Sequence, residues 1–167
     1  MTNIKKISLI GILSALYVVC SLTLKIPMGV GAIALDMGYL VLTFSAFAVG
    51  GYAAIVGGLG ALIESALFSP YGISWGWVIM NITIGLICGL IFKRIKLDKF
   101  RGYFLCGVVI VLSVLIGITE KTIFECAMYS IPYLVKLPKS AVAFAIDTAV
   151  MLIGLPITKQ ALKAVRR

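Results

Sequence analysis

The sequence predicts an all-α integral membrane protein, a bundle of six transmembrane helices with both termini in the cytoplasm. Its composition supports this class first. Hydrophobic residues make up 62% of the 167-residue chain and charged residues only 13%, whereas a soluble domain is about half apolar. Long apolar segments alternate with short polar ones, and the cations gather at the termini and in one loop. Residues 1–167 are therefore expected to form a single transmembrane domain.

Six apolar segments are the candidate spans, since a helix needs about 20 apolar residues to cross a bilayer. They are Ile7–Leu24, Gly38–Val49, Tyr52–Phe68, Ser74–Phe92, Gly102–Thr119 and Lys139–Thr158. The first follows two lysines, as in a signal peptide, but it is long for one and is expected to remain as the first helix. The second is short, and no charge separates it from the third at Gly50-Gly51. These two segments form either a tight helical hairpin or a partly re-entrant pair.

The orientation follows from the loop 93–101, which packs five cations into nine residues. Lys and Arg near the ends of spans are retained in the cytoplasm. An even number of spans places eleven cations on the side of this loop and both termini, and four on the other side. The two sets are Lys5, Lys6, Lys93, Arg94, Lys96, Lys99, Arg101, Lys159, Lys163, Arg166 and Arg167, against Lys25, Lys121, Lys136 and Lys139. One long span over 38–68 would separate the loop from the termini, so the pattern favours six spans, or four with a re-entrant hairpin.

Several functions are disfavoured by features that the sequence lacks. The net charge of +9 resides in short loops and at the termini, so the expected partner is the anionic surface of the lipid bilayer and not nucleic acid. The four cysteines form no C-x-x-C pair and the chain has no histidine, so neither a metal site nor a cofactor is expected. No G-x-x-x-x-G-K-[ST] loop is present, so energy from ATP would have to come from a partner.

Polar residues in the predicted outer half mark a candidate binding site. The loop 25–31 holds two glycines and a proline and can close over a ligand, and Glu120 to Pro138 is the longest outward segment. Asn81 lies roughly 9 Å deep in its span and Asp147 roughly 12 Å deep, at 1.5 Å per residue. Polar groups at such depths usually face the bundle interior. The candidate substrate-binding residues are Tyr71, Trp75, Trp77, Asn81, Glu120, Lys121, Lys139 and Asp147.

These assignments have structural alternatives. The aromatic side chains also fit an interfacial belt at the membrane surface. Asn81 and Asp147 also fit hydrogen bonds that tie neighbouring helices together. Glu64, near the outer end of the third span, fits either the cavity wall or a contact with water, and Asp36 precedes the second span.

The first span carries a different signal. Gly11, Ala15 and Val19 recur at every fourth position on one helix face. Faces of small residues let helices approach closely in lipid. Contact with another subunit and contact inside the bundle are both compatible with this pattern.

Three stretches are similar to those of a known family. They are Gly11-Ile-Leu-Ser-Ala15-Leu-Tyr-Val-Val19, Gly57-Gly58-Leu-Gly60-Ala61-Leu-Ile-Glu64, and Leu137-Pro138-Lys139 with Leu155-Pro156-Ile157-Thr158-Lys159. With the size and the predicted topology, they make the chain resemble the S components, the substrate-binding membrane subunits of energy-coupling factor (ECF) vitamin transporters. The first stretch resembles the family's AxxxA-type helix, with Val19 where the family has Ala.

The resemblance implies a mechanism and a location. An S component binds its vitamin in a pocket open to the outside, with the first extracellular loop as a lid. It then associates with a membrane scaffold subunit and two cytoplasmic ATPases, and ATP hydrolysis drives it to topple and release substrate inside. Gly11, Ala15 and Val19 would dock on the scaffold. The chain would be a multi-pass protein of a prokaryotic plasma membrane.

Two other classes of function are weighed against this one. A self-contained carrier or channel, working as a homo-oligomer, would use Asp147 or Glu64 to couple an ion. A membrane-embedded enzyme would have to rest its acid–base chemistry on Glu64, Asp147 and Lys139 alone, so an enzyme is not expected. The aromatic residues suit a flat ring, and the expected ligand is a small water-soluble vitamin or related precursor containing a ring.

Overall fold

The computed structural model describes residues 3–24, 26–27, 34–69, 72–95, 97 and 100–165. In this part of the chain it has six α-helices and one short β ladder. The elements are α1 (Asn3–Thr23), β1 (Ile26–Pro27), β2 (Ala34–Leu35), α2 (Gly38–Val49), α3 (Ala53–Phe68), α4 (Trp75–Phe92), α5 (Phe100–Tyr129) and α6 (Tyr133–Val165). The strands β1 and β2 are antiparallel, with Ile26 opposite Leu35. Most of the predicted loop 25–31 lies outside the described residues, as do positions 96, 98 and 99 of the basic loop.

The helices match the six predicted apolar segments in number and order. Among the described residues, five helices are long and apolar enough to cross a membrane. The exception is α2, which has 12 residues and reaches about 18 Å at 1.5 Å per residue, against a hydrocarbon core of about 30 Å. A single 3-10 turn, Gly50–Tyr52, joins α2 directly to α3, which makes the two a tight helical pair.

The predicted boundaries of the last two helices were wrong. The segment Glu120 to Pro138 was expected to be an outward connection, but α5 continues to Tyr129 and α6 already begins at Tyr133. The prediction followed hydropathy, which drops where charged side chains begin. The helices continue because their backbone hydrogen bonds do not depend on side-chain polarity, and Glu125 and Lys136 form a salt bridge between them.

The helices pack in a closed ring. Neighbours around the ring are α1, α3, α4, α5, α6 and α2, which returns to α1, and α2 also packs on α4 across the middle. Buried apolar side chains fill the half of the bundle near the termini, including Ile10, Phe92 and Leu155. There the rings of Phe47 and Phe92 stack with centroids 4.6 Å apart. The opposite half contains the polar residues.

Glycines set the distance between α4 and the turn that joins α2 to α3. A Cβ at Gly85 would lie only 2.6 Å from the carbonyl oxygen of Ala53, and a Cβ at Gly89 would meet the carbonyl oxygen of Gly50. Gly50 itself has a φ of 65°, which side-chain-bearing residues rarely adopt. The backbones therefore touch directly, as small residues allow in membrane bundles.

Replacing Gly85 by Ala should destabilise the purified protein, because the added methyl group meets backbone that cannot rotate away. Overpacking of this kind costs about 1–3 kcal/mol, so we expect the melting temperature to fall by roughly 4 °C or more. Gly11→Ala is the matched control, since a Cβ there has nothing within 4 Å. Equal melting temperatures for the two variants would show that the close approach is not structurally important.

Candidate functional site

A cavity of about 560 Å³ opens at the end of the bundle opposite the chain termini. Its wall is built from the last turn of α1, the end of α3, the start of α4, the second half of α5 and the first half of α6. The lining residues are Leu22, Asp36, Glu64, Ser65, Phe68, Ser69, Ser74, Trp77, Ile118, Lys121, Thr122, Glu125, Lys136, Lys139, Ser140, Ala143 and Asp147. The prolonged ends of α5 and α6 therefore form one side of the cavity.

Most of the polar side chains in this wall already have protein partners. Glu125 forms its salt bridge with Lys136, and the Ser21 hydroxyl donates to Oε2 of Glu64 over 2.6 Å. The hydroxyls of Thr122 and Ser140 lie 2.8 Å apart and join α5 to α6. These contacts fix the shape of the wall, because each holds two helices in one relative rotation.

The start of α2 is held by Asp36, which is buried. Its Oδ1 accepts the backbone N–H of Gly38 over 2.7 Å. The first N–H groups of a helix have no partner within the helix, so this contact stabilises the N-terminus of α2 at the edge of the cavity.

Asp147 is the deepest lining residue of α6. Its side chain is only 3% exposed, and its Oδ2 has no hydrogen-bond partner among the described residues. The hydroxyl of the neighbouring Tyr39 is also buried and likewise has no partner there. The carboxylate therefore faces the cavity with hydrogen-bonding capacity that the protein does not use.

Trp77 is the aromatic residue of the wall. The Lys121 ammonium lies 4.2 Å from the centroid of its ring, within the range of a cation–π interaction. Tyr39 meets the same ring edge-on, with centroids 6.1 Å apart and an interplanar angle of 74°. A ligand that stacks on the face held by Lys121 would first have to displace that ammonium group.

Four of the eight predicted site residues come together in this cavity, namely Trp77, Lys121, Lys139 and Asp147. The other four lie elsewhere. Trp75 is half exposed and is not part of the cavity wall. Glu120 accepts a hydrogen bond of 2.7 Å from Thr83 on α4. Tyr71 lies outside the described residues.

Asn81 ties helices together instead of lining the cavity. It is fully buried, and its Oδ1 accepts the hydroxyl of Tyr17 over 3.0 Å. Its amide nitrogen donates to the backbone carbonyl of Trp77 at 2.9 Å. The side chain is thus used in packing α1 against α4, which is the structural alternative that the sequence left open.

The small face of α1 points away from the bundle. Gly11, Ala15 and Val19 are exposed, and a Cβ at Gly11 would have nothing within 4 Å. Contact inside the bundle, one of the two interpretations of this face, therefore does not account for these residues. The described residues contain no group of three or more Cys, Asp or Glu that could hold a metal ion.

A comparison with protein families identifies the chain. The family model described as ECF-type riboflavin transporter, S component, matches residues 1–163. The chain belongs to this S-component family. The fold agrees, since this S component superposes on the crystal structure of an S component for biotin from an ECF-type ABC transporter with a TM-score of 0.75. That likeness covers 98% of this chain and 95% of the other at 18% sequence identity.

Curated relatives carry less specific names. A UPF0397 protein from Lactobacillus acidophilus is 33% identical over 138 residues, which is 78% of this S component and 73% of the relative. A UPF0397 protein from Exiguobacterium sp. is 34% identical over 98 residues, which is 57% of this chain. In that comparison the matched segment spans only about half, 52%, of the relative's length.

Nine polar lining residues were not among the residues predicted for the site of this S component. They are Asp36, Glu64, Ser65, Ser69, Ser74, Thr122, Glu125, Lys136 and Ser140. A signal for part of this set is present in the sequence. Lys136, Ser140 and Asp147 recur at helical spacing on one face, and Lys121 and Glu125 do the same on α5. This periodicity was overlooked because the segment was taken to lie outside the helices.

Removing the Tyr17 hydroxyl should destabilise this S component without changing its cavity. In Tyr17→Phe the buried Asn81 loses its donor, and an unsatisfied buried group costs about 1–3 kcal/mol. We expect a lower melting temperature in detergent. Tyr52→Phe is the control, because Tyr52 is exposed and its ring can still meet Lys6. If both variants melt like the wild type, the hydrogen bond does not hold α1 on α4.

Proposed function

We propose that this S component is the high-affinity substrate-binding subunit of an ECF-type ABC importer. It captures a small water-soluble vitamin or related precursor from outside the cell. It delivers the ligand inward with a membrane scaffold subunit and two cytoplasmic ATPases, and it does not act as an enzyme. The observation that carries the proposal is the polar-lined cavity of about 560 Å³ in a chain of a substrate-binding family. Small-molecule sites typically measure about 300–1,000 Å³.

The direction of capture follows from the position of the cavity. The termini and the described part of the α4–α5 loop lie at one end of the bundle, and the cavity lies at the other. Lys5, Lys6, Lys159 and Lys163 belong to the first end. Basic residues of short loops are retained in the cytoplasm. We therefore place both termini in the cytoplasm of a prokaryotic cell, with six membrane-embedded helices and a cavity that faces outward.

The small face of α1 supports docking on a scaffold subunit. In a membrane, apolar surface alone gives little drive for association, and close contact of small residues provides van der Waals packing instead. Gly11, Ala15 and Val19 form such a surface, and it is left uncovered by the rest of the bundle. A partner helix can approach most closely at Gly11 and Ala15.

A self-contained carrier or channel is disfavoured by the packing beneath the cavity. The half of the bundle near the termini is filled by buried apolar side chains such as Ile10 and Phe92. A polar solute passing through the described part of the chain would have to cross this packed layer without hydrogen-bond partners, which is costly. Release on the other side therefore calls for a large movement driven by partners.

Cysteine labelling tests the orientation. In a chain whose four cysteines are replaced by Ser or Ala, a single cysteine at Ile73 should react with a membrane-impermeant maleimide on intact cells. A cysteine at Arg94 should react only after the membrane is opened, because both side chains are accessible but lie at opposite ends of the bundle. The reverse labelling pattern would place the cavity in the cytoplasm and contradict capture from outside.

Reconstitution tests the transport proposal. In proteoliposomes containing the scaffold and ATPases, we expect vitamin uptake that requires ATP and stops when the ATPases are omitted. Gly11→Leu and Ala15→Leu should reduce co-purification of the scaffold and lower uptake at least tenfold, because the added side chains keep the partner helix away. Vitamin binding to the isolated subunit should stay within threefold.

Ala149→Leu is the matched control for these docking variants, because Ala149 is also an exposed small residue in a helix but lies on α6. It should assemble and transport like the wild type. Uptake that continues without ATPases would instead support the homo-oligomeric carrier. Normal assembly of both α1 variants would remove this face from the docking surface.

A further inference from the structure

The cavity has one acidic group whose hydrogen-bonding capacity is left over. Glu125 is used by Lys136, Glu64 by Ser21, and Thr122 and Ser140 by each other. Asp147 differs, because it forms no salt bridge with a described residue and its Oδ2 has no hydrogen-bond partner there. The protein therefore presents a single carboxylate oxygen whose partner has to come from the cavity.

Asp147 also lies where the inner end of a ligand would lie. Both Lys139 and Asp147 line the cavity on α6, and eight residues separate them, which is about 12 Å along a helix axis. Beyond Asp147 the same helix buries Val150 and Met151, so the wall becomes apolar and packed. The carboxylate thus marks the bottom of the cavity on this helix.

The chemistry of the group restricts what it can bind. An ionised carboxylate only accepts hydrogen bonds, and a buried one is costly unless it is paired. A ligand with a carboxylate or another bare acceptor at its inner end would leave Asp147 unpaired. The surrounding wall is apolar and aromatic, with Leu22, Ile118, Ala143 and Trp77, which suits a ring beside the polar group.

We propose that Asp147 selects ligands with a planar ring whose inner edge carries an N–H donor, either a ring N–H or a protonated amine. This inference rests on the proposed function and defines the class of substrate for the same site. A site built around a buried hydrogen-bonding group rejects analogues that lack the partner group by large factors. Ring compounds that offer only acceptors or a carboxylate at that edge are therefore excluded.

Ligand binding to the purified subunit in lipid nanodiscs tests the ligand class. The chain has two tryptophans, and in Trp75→Phe the remaining one, Trp77, reports from the cavity wall. The probes are thiamine, pyridoxamine and riboflavin, which carry N–H donors on or next to a ring, against nicotinate and pantothenate. We expect the tightest binding from a donor-bearing ring. Preference for nicotinate or pantothenate would overturn the inference.

Variants at Asp147 test the residue itself. For the tightest probe, Asp147→Leu should weaken binding at least tenfold, and Asp147→Asn should separate the two kinds of donor. Asn keeps an oxygen for a neutral N–H but loses the charge that favours a protonated amine. Thr148→Val is the matched control, because Thr148 is buried with an unpartnered hydroxyl but does not line the cavity. Its affinity should stay within threefold of the wild type.

Thermal stability separates ligand recognition from a merely structural role. If Asp147 is held for a ligand, ligand-free Asp147→Leu should melt at the same temperature as the wild type or higher, since a buried unpaired carboxylate is gone. If it serves only as a partner of Tyr39, this variant should melt lower, as Tyr39→Phe would, and bind as well as the wild type. That result would overturn the inference and leave the proposed function intact. Failure of the wild type to bind any probe would contradict both.

Discussion

The need to pair polar side chains inside an apolar bundle is the constraint on which the rest of this structure depends. Lipid provides no hydrogen-bond partners, so polar groups on neighbouring helices have to satisfy each other. The Tyr17–Asn81 contact joins α1 to α4, Ser21–Glu64 joins α1 to α3, and Thr83–Glu120 joins α4 to α5. Each pair sets the rotation of two helices. With these rotations set, the remaining polar side chains of α3, α5 and α6 point into one cavity.

The bundle is divided into two halves with different physical roles. Near the termini, apolar side chains fill the interior, and α4 touches the α2–α3 turn through Gly85 and Gly89. This half provides a rigid base without a polar path. In the opposite half the helices enclose a cavity, because side chains such as Glu125 and Lys136 pair along its wall instead of filling its centre. A binding subunit that relies on partners for release needs both properties, a rigid base and a ligand chamber open on one side.

Much of the fold was predictable, and the site was predictable only in part. The six apolar segments of the sequence became six helices in the described chain, because hydropathy reports directly on burial in lipid. It failed at Glu120–Pro138, since a helix can continue where its side chains turn polar. Asn81 and Asp147 show the second limit. Both are buried polar residues at similar predicted depth, yet Asn81 is bonded to Tyr17, while Asp147 faces the cavity. Only the partner across the helix interface distinguishes them.

The sequence by itself determined that this protein belongs in a membrane, which segments form its helices and where its basic residues concentrate. These are properties of composition and local order, and they need no knowledge of neighbours. The tertiary structure decided which polar groups meet, because each rotation of a helix about its axis brings a different set of residues to the interior. It placed Trp77, Lys121, Lys139 and Asp147 together and kept Trp75 and Glu120 outside. It also left Gly11, Ala15 and Val19 exposed, since packing of α1 on α3 and α2 uses the other face of that helix.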